Sequence, residues 1–539
     1  MSEAINLSDK THAVPVSRRM DSAFVVSAAS IMFVIVAAVL VIYQLNPPRP
    51  AAVNAPLTEF SSERALKYLT VIAQRPHPVG TSEHAAVGSY IETELTALGL
   101  SPEVQQTPSA TNVLVRLKGT SDEKAVLLVA HYDTVPASPG AADNGSAVVS
   151  ILETLRALRS SQPLRNDVIA LFSDAEEVGA AGAKAFVYQH PWAKNVGVVF
   201  NFDARGSGGP VIMFETSDKN RRLIKEFAKA APHPAANSLA PAIYALMPND
   251  TDLTVFKDAG FAGLNFAYIV GGDHYHSALD NLANLDQRTL QHQGSTALAL
   301  TRHFGNLNLN SSAAPENEVY FDILNAAVIS YSERWVVPLA VVVCFSFVAL
   351  VAIGFKNGHL TGHGLFVGFL VVPLSVMSTV VLLTLTRDLL RINNYDLVLF
   401  MVITIGVLLV VNAKFSHVGG SNLMVGSYLW SLILLALTSL FLKGGSYLFM
   451  WPLLFNLGAL GLVLARKRRA SFALKDLALL VAGAVPGIIL FTPLVYLTSA
   501  ALTLSSLVAS IAIAGAAVLL LGPLTPHFAA LAGFRKART

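Results

Sequence analysis

Histidine and carboxylate side chains follow a buried, β-branched segment in the first half of the sequence. "AVLLVAHYD" ends in His131 and Asp133, and the next loop, "GAADNGS", contains Asp143. A buried carboxylate is costly unless it is paired with a cation or bound to a metal. The combination therefore points to metal binding or to acid–base chemistry.

The same pattern recurs three times further along the chain. "DVIALFSDAEE" ends in Glu176 and Glu177, "VGVVFNFDA" carries Asp203 near its end, and His276 lies in the loop after "GLNFAYIV". Arg205 is the one lysine or arginine adjacent to any of these groups. A metal site is the simplest way to neutralise so many carboxylates.

The spacing of these residues suggests their roles. Side chains at i and i+2 of a strand point the same way, so Asp133 is placed to orient the ring of His131, as the partners of metal-binding histidines usually do. The adjacent Glu176 and Glu177 point in different directions. One of them can therefore bind a metal while the other faces a metal-bound water.

Charge balance favours two metal ions over one. The carboxylates of Asp143, Glu177 and Asp203 together with one hydroxide carry four negative charges, which two divalent cations would balance. Nitrogen and oxygen ligands without sulfur favour zinc, with cobalt or manganese as alternatives. The single cysteine, Cys344, excludes a cysteine-based metal cluster and an intramolecular disulfide.

Residues 57–307 have the composition of a globular domain in which strands and helices alternate. The predicted strands are 112–119, 125–133, 167–177, 196–204 and 263–270, and the predicted helices between them include 63–74, 83–98 and 146–158. Such alternation predicts an α/β domain with a mostly parallel mixed sheet between helices. Ligands collect at the carboxyl ends of the strands in such sheets, which is where the polar residues lie.

The rest of the chain is typical of a membrane protein. Of 539 residues, 53% are hydrophobic and only 14% are charged, which is too apolar for an ordinary soluble protein. We predict a transmembrane anchor at 23–45, a linker at 46–56, a connector at 308–334 and a seven-span domain at 335–522. The seven predicted spans are 335–355, 365–385, 397–411, 423–442, 447–465, 477–497 and 502–521.

Basic residues predict the orientation of these eight spans. The model of eight crossings makes residues 1–22 and the basic tail 523–539 cytoplasmic, together with Lys356, Lys414 and the run 466–469. The globular domain then lies on the non-cytoplasmic side. We favour a bacterial inner membrane with a periplasmic domain, or a vacuolar or endoplasmic reticulum lumen in a eukaryote.

Other classes of partner are less well supported by the sequence. The net charge of +3 and the scattered basic residues exclude a basic stripe for nucleic acid. No charged residue lies inside a predicted span away from its ends, which favours an anchor or regulatory role over a transport pathway. Nothing in the sequence predicts an oligomeric state.

The motifs also occur in an order that resembles a known family. The order is HYD, AADNGSAVVSILETLRAL, SDAEEVGAAGAKAF, NFDARGSGGP, PNDTDLTVFKDAGFAGLNFA and YHSALD. This series resembles the co-catalytic two-zinc aminopeptidases related to bacterial leucyl aminopeptidase, in particular the membrane-bound branch of endoplasmic reticulum metallopeptidases and fungal vacuolar membrane proteases. The resemblance covers residues 59–331.

The resemblance implies a specific set of zinc ligands. Asp143 would bridge two Zn²⁺ ions per chain, His131 and Asp203 would complete one site, and Glu177 and His276 would complete the other. The branch often has glutamate where this sequence has Asp203, which keeps the charge and shortens the reach.

Roles for the remaining residues also follow from the resemblance. Glu176 would be the general base, Asp133 would orient His131, and Tyr275 would stabilise the tetrahedral oxyanion. A cis peptide bond often follows the bridging aspartate in the family, which places it here between Asp143 and Asn144.

The implied activity is that of a zinc-dependent metallo-exopeptidase, an aminopeptidase that hydrolyses N-terminal residues from peptide substrates. Two alternatives remain open. One is a transferase like glutaminyl cyclase, which shares the fold with a single zinc, and the other is a peptidase-like binding module without catalysis. Retention of all five ligands argues against both.

Overall fold

A computed structural model of the chain describes residues 22–121, 124–245, 249–310, 316–390, 397–466, 474–501 and 507–522. The predicted cytoplasmic N-terminus up to residue 21, the tail from 523, most of the basic run 466–469 and the first residues of the last predicted span, 502–506, lie outside the described residues. The domain boundaries given above stay predictions.

Within the described residues, eight strands of the predicted α/β domain form one mixed sheet in the order β1-β2-β4-β3-β5-β8-β6-β7. They are β1 (Glu103–Gln106), β2 (Thr111–Leu117), β3 (Ala125–His131), β4 (Val168–Ser173), β5 (Val196–Phe202), β6 (Ile212–Thr216), β7 (Ala235–Ala236) and β8 (Gly263–Ala267). The four neighbours β4, β3, β5 and β8 run parallel in the middle of the sheet. The mostly parallel mixed sheet predicted from the sequence is therefore present.

The central strands are apolar because both of their faces are covered. Every residue of β3 and β4 is buried, which matches their uninterrupted β-branched and aliphatic sequences. Since these strands are parallel, their carboxyl ends lie at one edge of the sheet. His131 ends β3, and Ser173 ends β4 directly opposite it.

Helices cover the two faces of the sheet. They are α2 (Ser62–Ile72), α3 (Ser82–Ala97), α4 (Ala147–Arg159), α5 (Ala181–Gln189), α6 (Arg221–Ala230), α7 (Leu239–Tyr244), α8 (Asp252–Asp258) and α9 (Gln287–Gly305). The apolar sides of α2, α3, α4, α6 and α9 pack on one face, and those of α5 and α8 pack on the other. This arrangement fixes the strand ends that carry the polar residues.

Long apolar helices form the second part of the structure. They are α1 (Ser22–Gln44), α10 (Val336–Lys356), α11 (Gly362–Leu390), α12 (Leu397–Phe415), α13 (Gly420–Phe441), α14 (Tyr447–Leu464), α15 (Leu474–Ala501) and α16 (Leu507–Leu521). Among the described residues, seven of these are long and apolar enough to cross a membrane, and α16 is a shorter apolar helix. The eighth predicted span thus corresponds to a helix with only 15 described residues.

A two-stranded hairpin, β9 (Glu318–Ile323) with β10 (Ala327–Ser332), connects the two parts. Next to it, the hydroxyl of Ser238 donates a hydrogen bond of 2.7 Å to the carbonyl of Gly444, in the loop between α13 and α14. At the other end of the helices, the side chain of Asn357 donates to the carbonyl of Leu464 at 2.8 Å. These loops therefore lie on two sides of the helices, one next to the α/β domain and one opposite it.

Cysteine labelling tests this arrangement. In a Cys344→Ser background, we expect Lys443→Cys to react with a membrane-impermeant maleimide from the side on which the α/β domain lies. Lys356→Cys should react only from the other side, because the 21 residues of α10 span about 30 Å. Labelling of both cysteines from one side of sealed vesicles would contradict the arrangement.

Candidate metal centre

The polar residues singled out in the sequence converge at the carboxyl edge of the sheet. His131 is the last residue of β3, Asp203 directly follows β5, and Glu176 and Glu177 lie in the turn between β4 and α5. His276 lies in the loop that connects β8 to α9. Strand ends bring these residues together although they are spread over about 150 positions of the chain.

Asp143 lies at the centre of this cluster, and its two carboxylate oxygens face different partners. Oδ1 is 3.2 Å from Nε2 of His131, and Oδ2 is 3.3 Å from Nε2 of His276. Nε2 of His131 is also 3.8 Å from Oδ1 of Asp203, and Nε2 of His276 is 3.2 Å from Oε2 of Glu177. The result is two groups of three potential ligands that share Asp143.

These groups fit a divalent metal better than they fit hydrogen bonding. Two ligands that each lie 2.0–2.1 Å from a tetrahedral zinc are about 3.3 Å apart, close to the separations seen here. Nε2 of His276 is buried and has no hydrogen-bond partner of good geometry among the residues that the structure describes. The donors are imidazole nitrogens and carboxylate oxygens, which suit zinc.

Asp133 contacts both His131 and the turn that carries Glu176 and Glu177. One of its carboxylate oxygens is 3.5 Å from Nδ1 of His131 and accepts a hydrogen bond of 3.0 Å from the amide of Glu176, and the other accepts one of 3.2 Å from the amide of Glu177. Burial would raise the pKa of Asp133, but His131 and these two amides outweigh it and lower the pKa. The carboxylate therefore fixes the glutamate turn. It also lies beside the histidine ring, whose Nδ1 is closer to the backbone carbonyl oxygen of Asp133, at 3.1 Å, so the orienting role of the carboxylate stays a prediction.

Asp280, which was not singled out in the sequence, also accepts hydrogen bonds from backbone amides, as Asp133 does. Its carboxylate accepts hydrogen bonds from the amides of Ala142 and Asp143, at 2.6 and 3.1 Å, and from the hydroxyl of Ser138 at 3.1 Å. It thereby fixes the loop that presents Asp143. The available signal was the final aspartate of "YHSALD", four residues after His276.

The backbone around Asp143 has two unusual features. The Asp143–Asn144 peptide bond is cis, as the resemblance implied. Gly140 adopts φ +70°, and a Cβ at this position would lie 2.8 Å from the carbonyl oxygen of Asp143. The side chain of Asn144 donates to the carbonyl of Phe202 at 2.8 Å, which ties the loop to β5 next to Asp203.

Glu176 lies in an environment suited to proton exchange. Burial raises the pKa of its carboxyl well above the usual range, His131 partly offsets this, and the negative charges of Asp203 and Asp252 add to the rise. Asp252, also missed in the sequence, is buried and accepts a hydrogen bond from the hydroxyl of Ser173. Burial raises its pKa to about 7.

Tyr275 is next to the centre but is not among the two ligand groups. Its ring stacks on that of His276 with centroids 3.7 Å apart, and the guanidinium of Arg205 lies 5.7 Å from the tyrosine ring centroid. Burial raises the pKa of the Tyr275 hydroxyl well above its usual value. The hydroxyl is therefore protonated at neutral pH and can act as a hydrogen-bond donor.

Comparison with known proteins identifies the domain that carries these residues. Residues 112–301 match peptidase family M28. The chain is 34% identical over 232 residues to human endoplasmic reticulum metallopeptidase 1, covering 42% of this chain and 26% of that protein. It is 33% identical over 274 residues to the vacuolar membrane protease of Candida dubliniensis, covering 47% and 29%.

A nematode relative shares a longer stretch, and solved structures resemble the α/β domain. The putative endoplasmic reticulum metallopeptidase 1-A of Caenorhabditis elegans is 31% identical over 339 residues, covering 56% of this chain and 38% of that protein. The chain thus spans less than half the length of these relatives. The aminopeptidase LapA of Legionella pneumophila is 18% identical, with a TM-score of 0.39, covering 47% of this chain and 74% of that chain. Glutaminyl cyclase of Porphyromonas gingivalis is 20% identical, with a TM-score of 0.37, covering 45% and 98%.

Substitution of one histidine should separate ligand loss from general disturbance. We expect His276→Ala to lower the zinc bound per chain and to weaken zinc affinity at least tenfold, because it removes one donor from the group that includes Glu177. His274→Ala is the matched control, since His274 contacts the hydroxyl of Ser207 and not the two ligand groups. Equal zinc content in both variants, measured on the purified proteins, would show that His276 is not a ligand.

Zinc binding to the metal-free protein should depend on pH. Burial would lower the pKa of His276, but the carboxylates of Asp143 and Glu177 outweigh it and raise the pKa to about 10. The ring is therefore protonated at neutral pH, and zinc must displace that proton. We expect affinity to rise between about pH 6 and 9, by up to ~10-fold per pH unit for each proton released. Calorimetry in buffers of different ionisation enthalpy measures the number of protons released when zinc binds. A zinc affinity that stays constant between about pH 6 and 9 would contradict the prediction.

Proposed function

We propose that this chain, whose residues 112–301 form a domain of peptidase family M28, is a membrane metallopeptidase that uses two zinc ions to remove N-terminal residues from peptides. One observation carries the proposal: each carboxylate oxygen of Asp143 faces a different group of potential ligands. A carboxylate in this position is suited to bridging two cations.

The two groups would divide the ligands in the way that the resemblance implied. His131 and Asp203 would hold one zinc, Glu177 and His276 would hold the other, and Asp143 would belong to both. When bound, zinc at such a centre lowers the pKa of a water molecule and polarises the carbonyl of the scissile bond.

Glu176 is the group best placed to move protons in this reaction. Its carboxyl faces the same cavity as Asp143 and His276, and burial raises its pKa well above the usual range for glutamate, which favours acceptance of a proton. We assign it two transfers: it takes a proton from the attacking water and returns it to the leaving amine. Tyr275 would donate a hydrogen bond to the oxyanion.

The charge of the cavity supports an exopeptidase. Besides the proposed zinc ligands, the carboxyl groups of Glu176, Asp250, Asp258 and Asp322 line it, against Lys184 and Arg205 as cations, so carboxylates stay in excess when two zinc ions balance the ligands. Such a negative site attracts the positively charged α-ammonium group of a free N-terminus and offers nothing equivalent to an acetylated one. Peptides with a free amino terminus are therefore the proposed substrates.

The side of the membrane on which the α/β domain lies is also a proposal. The relatives named above are proteins of the endoplasmic reticulum and of the vacuolar membrane, and we propose that the α/β domain of this chain faces the non-cytoplasmic side of its membrane. Lys356 and Lys414 at the opposite ends of the helices support this orientation. The bacterial inner membrane that we favoured from the sequence has no support among these relatives and stays a prediction.

Replacement of the proposed general base should abolish turnover without loss of metal. We expect Glu176→Gln to lower kcat by about 10²–10⁴-fold on a peptide with a free N-terminus, because the amide cannot accept the proton. Its zinc content should equal that of the wild type. Glu103→Gln, the same change on the exposed edge strand β1, is the control and should retain full activity.

The products distinguish the proposal from its alternatives. Release of free N-terminal residues, absent for N-acetylated peptides, would support an aminopeptidase. Ammonia from peptides that begin with glutamine, without cleavage, would indicate a glutaminyl cyclase. Binding of peptides without turnover by the zinc-loaded wild type would indicate a binding module.

A further inference from the structure

The cavity at the metal centre does not end within the α/β domain. It has a volume of about 840 Å³, at the upper end of the range for small-molecule sites. Its walls include the helix α7, Phe321 of the hairpin, and Tyr447 at the start of α14. Leu45, just after α1, and six residues of α15 complete it. The cavity therefore extends from the metal centre to the membrane helices.

One face of α15 forms the membrane wall of this cavity. The residues that contribute are Ile489, Leu490, Pro493, Leu494, Leu497 and Thr498. They recur at intervals of four along two adjacent rows, as residues on a single helix face do. The two charged residues in the described part of α15 are Lys475 and Asp476, at the opposite end of the helix. This wall is thus almost entirely apolar.

The deep end of the cavity lies below the membrane surface. Tyr496 lines a second, neighbouring cavity together with Leu45, which directly follows α1, and exposed aromatic residues such as Tyr43 and Trp335 on this side of the helices are typical of a membrane interface. Ile489 is seven residues before Tyr496, or about 10 Å further into the hydrocarbon region. The cavity therefore joins a polar catalytic end to an apolar end inside the bilayer.

A polar peptide would make few favourable contacts with the apolar end of the cavity next to α15. The helix α7, which forms the wall opposite, presents Ile243 with 45% of its surface exposed, and Leu239 and Ala240 also line the cavity. Phe321 and Tyr447 stack with centroids 4.7 Å apart at the junction between the two parts of the structure. Apolar side chains of α7, the hairpin and α14 thus line the cavity between the metal centre and α15, and they alternate with polar ones such as Asn237 and Asp322.

We propose that the substrates are amphiphilic peptides in which the residues near the cleaved bond are apolar, and that α15 forms part of the binding site for these residues. The inference rests on the function proposed above and adds the substrate class and the element that selects it. The peptide N-terminus lies at the carboxylates, and the apolar residues lie against α15. Such peptides partition into the membrane, which delivers them to the cavity.

Matched peptides test the selectivity on the full-length protein in lipid nanodiscs. All of these peptides begin with the same residue and have the same scissile bond. The residues after this bond are Leu-Phe-Leu in the apolar series and Ser-Gln-Ser in the polar series. We expect kcat/KM to be at least tenfold higher for the apolar series. A lipid anchor added at the carboxyl end of both peptides separates delivery by the membrane from recognition by the cavity, because recognition persists when both are anchored.

A bulky residue in the membrane wall should remove this selectivity. Leu497→Trp fills part of the cavity, and we expect it to lower kcat/KM at least tenfold for the apolar peptide and less than threefold for an aminoacyl amide that occupies only the catalytic end. Leu440→Trp is the matched control. It places the same substitution on α13, where Leu440 is 66% exposed and does not line the cavity.

A readout without catalysis tests occupancy of the deep end. In a Cys344→Ser, Glu176→Gln background, Ile489→Cys is alkylated by N-ethylmaleimide in the presence of each peptide. We expect the apolar peptide to slow alkylation at least fivefold and the polar peptide to leave the rate unchanged. Equal rates with both peptides would overturn the proposal and would indicate that another molecule, such as a lipid acyl chain, occupies this end.

Failure of the two proposals can be told apart. No release of N-terminal residues from any peptide by the wild type would refute the proposed function. Release at equal rates from both series, unaffected by Leu497→Trp, would leave the peptidase in place and refute the role of α15.

Discussion

The structure depends on the neutralisation of several carboxylates in a small, largely buried space. Asp143, Glu177 and Asp203 crowd around two histidine rings, and Glu176 lies close by. Like charges at such distances repel, and burial adds to the cost. Metal cations between the carboxylates and the imidazoles would offset both terms. The rest of the α/β domain can be understood as a frame that holds these side chains until a cation binds.

That frame consists of hydrogen bonds from the backbone to further carboxylates. Asp133 accepts from the amides of Glu176 and Glu177, and Asp280 accepts from the amides of Ala142 and Asp143. Each of these aspartates therefore fixes a loop that carries a potential ligand, and neither aspartate belongs to the two ligand groups. Outer partners of this kind set the orientation of metal ligands, and their substitution typically lowers metal affinity or activity by about 10–100-fold.

The sequence predicted the central strands and brought the correct strand ends together, because uninterrupted β-branched segments are typical of buried parallel strands. It did not predict the part that Asp280 plays, since its partners are amides of a loop whose conformation has no simple signature. The edge strands β1 and β7 and the neighbouring strand β6 were missed because they are short or partly exposed. Asp252 was missed because its burial follows from the packing of α8 and not from the residues around it.

The cavity wall on α15 could not have been predicted from the sequence for a further reason. Leu497 and Asp143 are more than 350 positions apart, and apolar residues on a membrane helix look the same whether they face lipid, another helix or a cavity. Their position follows from contacts that fix the α/β domain on the helices, such as Ser238 with Gly444 and Phe321 with Tyr447. A domain released from its helices would keep the carboxylates and lose one wall of the site. The membrane part is therefore more than an anchor in this structure: its helices complete the cavity in which the reaction would occur.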